Sequence, residues 1–247
     1  MRDYKTETEN RIKFIRGVAD KAGAKGIIFG NSGGKDAALT GILCKMSGVR
    51  TVGVITPCHS KRNYGEDRDD ALLLARMFGI ETMEVDLTAA RAAVIATIGM
   101  NLSDAALSNI APRLRMTAWY AMAQSLGFLV AGTGNRSERY MGYFTKWGDG
   151  AYDFNPIGDL TVTEAYEYLR YLGAPERIIA KAPSAGLSEG QTDEGDMGVS
   201  YAAIDKYILT GEADPADLAI IQRYHAAGAH KRRLPPVYGE DAACGGS

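Results

Sequence analysis

Short apolar runs and amphipathic stretches alternate along the first half of the chain. Residues about 4–22 place Ile12, Ile15 and Val18 on one side of a helix, with charged positions between them. Gly26-Ile27-Ile28-Phe29 is an unbroken apolar run that reads as a buried strand over about 26–30. A helix leaves the next turn and runs to about Met46. The second strand, Thr51-Val52-Gly53-Val54-Ile55-Thr56, is stopped by Pro57. A helix from about Glu66 to Phe78 and a third strand, Glu81 to Asp86, follow. Helices over about 88–99 and 103–126 then lead to a fourth strand, Phe128-Leu129-Val130-Ala131. This alternation implies an α/β fold: a parallel sheet with helices on both faces. Ligands of such sheets sit beyond the carboxyl ends of the strands. The turns at 30–36, 57–64 and 132–138 are therefore expected to face one crevice.

The periodicity fails after residue 140. Gly142 to Leu160 is too rich in glycine and aromatics for a helix and too irregular for a strand. Its length suits a functional loop, and its aromatics argue against disorder. A second irregular stretch, Lys181 to Glu194, is polar and glycine-containing, as a mobile lid would be. One domain is expected over 1–240, with 241–247 a flexible tail.

Composition narrows the function. The 247 residues carry 28 basic and 30 acidic side chains, a net charge of −2, which argues against a broad nucleic-acid-binding face. No apolar run is long enough for a membrane span. The charged start, Met1 to Glu7, lacks a signal-peptide core, so a cytoplasmic location is expected. Cys44, Cys58 and Cys244 are far apart and suggest neither zinc nor a redox pair. Cys44 reads as a core residue, while Cys58, just past the second strand, reads either as a buried thiol or as a neighbour of the site.

The most telling segment is Gly30-Asn31-Ser32-Gly33-Gly34-Lys35-Asp36-Ala37. A glycine-rich turn from strand to helix gathers backbone amides and the positive end of the helix dipole around one point, a site for an anion such as phosphate. The bland alternative is a tight turn with no ligand. Walker A spacing and its Ser or Thr after lysine are absent, as is the Gly-x-Gly-x-x-Gly of dinucleotide folds. An acidic residue in a phosphate loop calls for a cation, which makes Asp36 a candidate Mg²⁺ ligand. Glu138, in the turn Gly132-Thr133-Gly134-Asn135-Arg136-Ser137-Glu138, either completes that site or favours a helix dipole. The run His230-Lys231-Arg232-Arg233 is either solvated surface or a phosphate contact.

Ser-Gly-Gly-x-Asp resembles the PP-loop of the ATP pyrophosphatases, which cut ATP between its α- and β-phosphates. With Arg113-Leu114-Arg115-Met116, the Gly132–Glu138 turn, Lys181–Thr192 and above all Gly142-Tyr143-Phe144-Thr145-Lys146-Trp147-Gly148-Asp149-Gly150 and His230-Lys231-Arg232, the chain resembles the NAD⁺ synthetase family in its stand-alone, ammonia-dependent form. The likeness runs from about residue 10 to about 236. It implies the Rossmann-like adenine nucleotide alpha hydrolase (PP-loop) fold. It also implies a ligase of NAD biosynthesis: the carboxylate of deamido-NAD⁺ attacks ATP, pyrophosphate leaves, and ammonia displaces AMP from the acyl adenylate.

Further expectations follow from the resemblance. Residues Gly30, Asn31, Ser32, Gly33, Gly34, Lys35, Asp36 and Ala37 would hold ATP, together with Thr133 and Ser184, and Asp36 and Glu138 would bind Mg²⁺. Arg113, Lys146, Asp153, His230 and Lys231 would meet deamido-NAD⁺. Asp149 would hold or deprotonate the incoming ammonium and act with Asp36 as a catalytic residue. A homodimer is implied, with the apolar helix 103–126 and its Leu114, Met116, Trp119, Tyr120 and Met122 as candidate interface, although a core helix shows the same pattern. About 26 residues precede the loop, which leaves no room for an amidase domain, so free ammonia or ammonia from another protein is the expected donor.

Two positions depart from the family pattern. Ala37 stands where the loop usually has serine, and Val162 where a phosphate-contacting lysine is common. Lys35, inside the loop, is a candidate for the missing charge. Competing readings are a PP-loop amide synthetase for another carboxylate and a catalytically silent dinucleotide-binding paralogue.

Overall fold

The apolar runs of the first half pair into one parallel sheet. The structure, a computed structural model, describes residues 2–58, 60–181 and 192–238. In chain order α1 (Tyr4–Ala22), β1 (Gly26–Gly30), α2 (Lys35–Met46), β2 (Thr51–Ile55), α3 (Lys61–Tyr64), α4 (Glu66–Phe78), β3 (Glu81–Glu84), α5 (Thr88–Ile98), α6 (Asp104–Leu126) and β4 (Phe128–Ala131) build it. The strand order is β3-β2-β1-β4, with Ile27 beside Thr51 and Phe29 beside Ala131. The expected elements form within a residue or two, except that the third strand ends at Glu84 and the 57–64 turn contains α3.

Every residue of β1 and β2 is buried, which is why both read as continuous apolar runs rather than alternating ones. Successive side chains still go to opposite faces. Ile27 and Phe29 pack with Ile15 of α1 and with Leu39, Ile42 and Leu43 of α2. Ile28, Val52 and Val54 pack with Ala123 of α6, with Trp119 against that cluster. Cys44 lies in the first core with none of its surface exposed. The edge strand β3 is short and acidic, and Arg50 and Arg68 pair with its Glu81 and Glu84, which discourages pairing with another chain. No helix among the described residues is long and apolar enough to cross a membrane.

The second half, where periodicity failed, folds into shorter helices: α7 (Arg136–Met141), α8 (Val162–Tyr171), α9 (Glu176–Ile179), α10 (Asp193–Met197), α11 (Tyr201–Thr210) and α12 (Pro215–Ala227). Between α7 and α8 the chain is irregular, as its composition indicated, apart from one bridge of Phe154 to Ala131 that prolongs the sheet beyond β4. Capping boxes at Asn135/Glu138 and Thr161/Glu164 start α7 and α8. A second core of Met141, Val162, Met197, Tyr201, Ile204 and Ile221 joins these helices. The 241–247 tail, expected to fray, lies outside the described residues.

One buried carboxylate ties three of these helices together. Asp205 on α11 is 3 % exposed. It accepts from Ser137 Oγ of α7 at 2.5 Å and from the Thr163 amide of α8 at 2.7 Å, and Ser137 Oγ in turn accepts from the Val162 amide. Removing a buried acceptor leaves its donors unsatisfied. Asp205→Ala is expected to lower stability by about 3 kcal/mol in urea denaturation, whereas a loss under about 1 kcal/mol, the scale of an exposed pair, would show that water replaces the carboxylate.

Candidate active site

The carboxyl ends of β1, β2 and β4 open into a cavity of about 690 Å³. Its wall includes Gly30, Asn31, Ser32, Gly34, Lys35, Asp36 and Ala37 after β1, Thr56, Pro57 and Asn63 after β2, and Thr133, Gly134 and Glu138 after β4. The three turns expected to share a crevice do share one.

The loop after β1 is shaped by its neighbours. Asn31 is buried, and its side-chain amide donates to the Ala71 carbonyl of α4 at 3.1 Å, so it anchors the loop. Gly33 has φ +72°, and a Cβ there would lie 2.1 Å from the Asp67 carbonyl oxygen, so both conformation and space demand glycine. Gly34 begins α2 with no side-chain cap, which leaves the first amides of the helix available to an anion.

Two carboxylates face this helix start. Asp36 Oδ2 accepts from Lys35 Nζ at 2.7 Å, while Asp36 Oδ1 is buried without a hydrogen-bond partner. Glu138 caps α7 and accepts from the Asn135 amide. Burial first, and then the nearby Asp36 charge, push its carboxyl up to about 8, against the opposing pull of Lys35. Burial works against the Lys35 ammonium, yet Asp36 and Glu138 outweigh it and hold the amine above the ordinary lysine value. Hard carboxylate oxygens, one of them without a partner, fit a small divalent cation. Among the described residues no group of three or more potential ligands forms a cage, so such an ion would complete its shell with phosphate and water oxygens.

Asp149 lies across the cavity in a turn held by its own carboxylate, which accepts from the Thr145 amide at 2.9 Å. Trp147, in the same turn, has φ 60°, the sole positive value at a non-glycine position among the described residues. Asp149 is itself exposed to solvent in the cleft, although protein stands close around it. The crowding pushes its carboxyl above the ordinary range; the Thr145 amide and the Lys231 charge oppose that, and solvent screens part of it. Lys231 donates to the carbonyls of Gly142 and Phe144 at 2.7 Å each, which ties the C-terminal basic run to this loop.

The remaining expected site residues fall elsewhere. Arg113 is exposed and reaches the Lys146 carbonyl at 3.5 Å, and Lys146 Nζ reaches the His230 carbonyl at 2.9 Å. Lys146 belongs to a neighbouring cavity of about 220 Å³ that also includes Trp147, Lys231, Arg232 and Arg233. Asp153 accepts from the Val130 amide at 2.7 Å and from the Tyr120 hydroxyl, so its carboxylate holds the edge of the sheet. Ser184 lies outside the described residues, as does most of the expected lid. Cys58 is fully buried with its thiol raised by burial, so the buried-thiol alternative holds.

Some lining residues have no role in the cavity assigned from the sequence. Arg115 of α6 lines the cavity and donates to the Thr56 carbonyl and to Asn63 Oδ1, both at 3.1 Å. Two positions along a helix differ by about 200°, so Arg113 and Arg115 point opposite ways, and only packing decides which one enters the cleft. Asn109, Pro112 and Trp119 of α6 also line the cavity. Lys181 bridges Asp67 at 2.7 Å and the fully buried Asp70 at 2.8 Å, fixing the chain across the cleft wall.

Comparisons with known proteins agree with this geometry. A family model described as NAD synthase matches residues 7–235. An NH(3)-dependent NAD(+) synthetase of Carboxydothermus hydrogenoformans is 44% identical over 240 residues, 95% of this chain and 98% of that protein. Among solved structures, NMN synthetase from Francisella tularensis superposes with a TM-score of 0.93 at 34% identity, covering 97% of this chain and 100% of its own. An NH3-dependent NAD synthetase from Campylobacter jejuni, in complex with nitrate, gives 0.79 at 29% identity, covering 96% and 99%.

Gly33→Ala forces a Cβ into the Asp67 carbonyl and an unfavourable φ, which displaces the loop from α4. ATP affinity by calorimetry is expected to fall more than tenfold while the far-ultraviolet circular dichroism is kept; affinity within twofold of the parent would show that the loop tolerates the side chain.

Proposed function

The chain belongs to the NAD synthase family, and we infer that the cavity beyond β1, β2 and β4 is where it works. It is an ammonia-dependent NAD⁺ synthetase, a ligase that uses ATP to amidate deamido-NAD⁺. The observation that carries the assignment of the site is the convergence, in one cleft, of the uncapped α2 start with Asp36, Glu138 and Asp149.

In the proposed course, the nicotinate carboxylate attacks the α-phosphorus of ATP, the bond to the bridging oxygen breaks, and pyrophosphate leaves. The Gly30–Ala37 loop and the α2 amides receive that pyrophosphate, with Thr133 opposite. Asp149 attracts ammonium and takes one of its protons, a role its solvent-reached place on the cavity wall supports. The resulting ammonia bonds to the acyl carbon, the carbon–oxygen bond to AMP breaks, and the surplus proton on nitrogen passes to water, leaving the amide. Asp36 and Glu138 would hold Mg²⁺, which when bound offsets the negative charge of the phosphates. Arg113, Lys146, His230 and Lys231 form a basic edge beside the cleft, suited to the substrate's phosphates. We assign Asp153 a supporting role there, because its carboxylate is engaged by Val130 and Tyr120. The ATP requirement supports a cytoplasmic location.

A second reading has an observation in its favour. The neighbour named NMN synthetase superposes more closely than the Campylobacter jejuni NAD synthetase, 0.93 against 0.79. In that reading the carboxylate is that of nicotinate mononucleotide. The chemistry and the residues are unchanged, and only the substrate's adenylate half is absent.

Dimerisation is supported by α5 and α6. Helix α5, Thr-Ala-Ala-Arg-Ala-Ala-Val-Ile-Ala-Thr-Ile, is apolar yet has no buried residue, and α6 buries only Ala111, Pro112 and Ala123. Such a surface calls for a cover, and a second copy supplies one. Trp119, Tyr120 and Met122 pack against the core, and Leu114 packs against Cys58 and Leu87. The proposed interface therefore centres on α5 more than on those residues.

Three measurements test these points. Incubation with ATP, Mg²⁺, ammonium and deamido-NAD⁺ is expected to yield NAD⁺, AMP and pyrophosphate; a kcat/KM more than tenfold higher with nicotinate mononucleotide would select the second reading. The Mg²⁺ concentration for half-maximal rate is expected to fall up to tenfold per pH unit as pH approaches 8, because Glu138 must lose its proton to bind a cation. A flat profile would remove Glu138 from the metal site. Ile98→Glu, at an exposed position of α5, is expected to convert a dimer to a monomer by light scattering; a wild-type monomer would end the dimer proposal.

A further inference from the structure

Lys35 is the first residue of α2 and lies inside the anion loop, yet its side chain is 6 % exposed. Adjacent helix positions do not face each other. The 2.7 Å contact of Lys35 Nζ with Asp36 Oδ2 is therefore not imposed by helix geometry. It requires both side chains to turn toward one point on the cavity wall. The ammonium sits 5.8 Å from the centre of the Tyr166 ring and 5.7 Å from that of Tyr201, and the Glu138 charge acts on it as well. One carboxylate in contact and two aromatic faces thus lie around one cation, to which Glu138 adds its charge when ionised. That cation belongs to the protein itself, at the place where the carboxylates would hold Mg²⁺.

An ammonium here has three donors, of which Asp36 takes one. Lysine is a compact charge on a flexible stem, able to change partners without moving its backbone. When nucleotide phosphates reach the α2 amides they bring negative charge to the same wall, and the stem gains an alternative partner. A metal ion arriving alone meets a positive charge already in place. A metal ion arriving with phosphate meets carboxylates whose counter-ion has somewhere else to go.

We propose that Lys35 is a resident counter-ion of the Asp36–Glu138 pair, which keeps free divalent cations out and admits them only together with the nucleotide, its ammonium then turning to the phosphates. This rests on the assignment of the ATP site to this cleft. To the coupling that shared phosphate ligation already gives, it adds an exclusion of the free ion.

The test is binding of Mn²⁺ without nucleotide, followed by electron paramagnetic resonance on the full chain. Wild type is expected to bind Mn²⁺ weakly at this site. Lys35→Met, which keeps the stem and removes the charge, is expected to bind it at least tenfold more tightly, while the KM for MgATP rises at least tenfold. Lys35→Arg retains the charge and is expected to keep Mn²⁺ weakly bound, which guards against a merely structural effect of the methionine. Adding Glu138→Gln to Lys35→Met should abolish the gained site. Equal or weaker Mn²⁺ affinity in folded Lys35→Met overturns the proposal; if that variant does not fold, tight Mn²⁺ binding by wild type or by Lys35→Arg overturns it. Wild type that forms no NAD⁺ or NMN counts against the function instead, because the Mn²⁺ measurement needs no substrate.

Discussion

At the start of α2, uncapped amides and the positive end of the helix share one cleft with two carboxylates, Asp36 in the first turn of the helix and Glu138 after β4. Neither charge can be left unbalanced there. The carboxylates need a cation, the amides need an anion, and a nucleotide carrying both satisfies the two demands together. Lys35 answers the first demand when nothing is bound. Farther along the wall, Asp149 and Lys231 act on each other through their charges, while Lys231 bonds to the Gly142 and Phe144 carbonyls.

Holding such charges at fixed separations requires a rigid frame, and the frame is built from polar side chains that do no chemistry. Asn31 bonds the loop to α4, and Lys181 bonds the far wall to Asp67 and Asp70 of the same helix. Asp205 fastens α7 and α8 to α11. Asn135 starts α7 so that Glu138 stands at its third position, where the capping box and a metal site make compatible demands on one carboxylate. Of the two readings of Glu138 left open by the sequence, the helix-terminal one holds, and the geometry leaves room for the other.

Legibility in the sequence follows the range of the interactions involved. The strands of the first half were readable because burial on both faces leaves uninterrupted apolar runs, and the loop after β1 because a close turn needs glycine at Gly33 whatever surrounds it. The second half was not readable in the same way. Its helices are four to thirteen residues long and rest on one another, so no single segment carries a full periodic face. Arg113 and Arg115 show the same limit within the site. The motif contains both, and the packing of α6 on β1 and β4 turns Arg115 to the cavity and Arg113 to solvent. Asp153 is a carboxylate in a functional-looking loop that accepts from the Val130 amide, a contact that its place in the sequence does not reveal.

The sequence by itself determined the parallel α/β frame, the edge at which the site lies, the anion loop and the two carboxylates suited to a cation. These follow from local backbone demands and from burial, both of which leave marks on residue type at fixed spacing. Only the tertiary structure decided which charges stand close enough to act on one another. It put the Lys35 ammonium on Asp36 and within reach of the Glu138 charge, turned Arg115 inward and left α5 without a buried residue. Electrostatic energy depends on distance through space and on the exclusion of water, and neither is written in the order of residues along a chain.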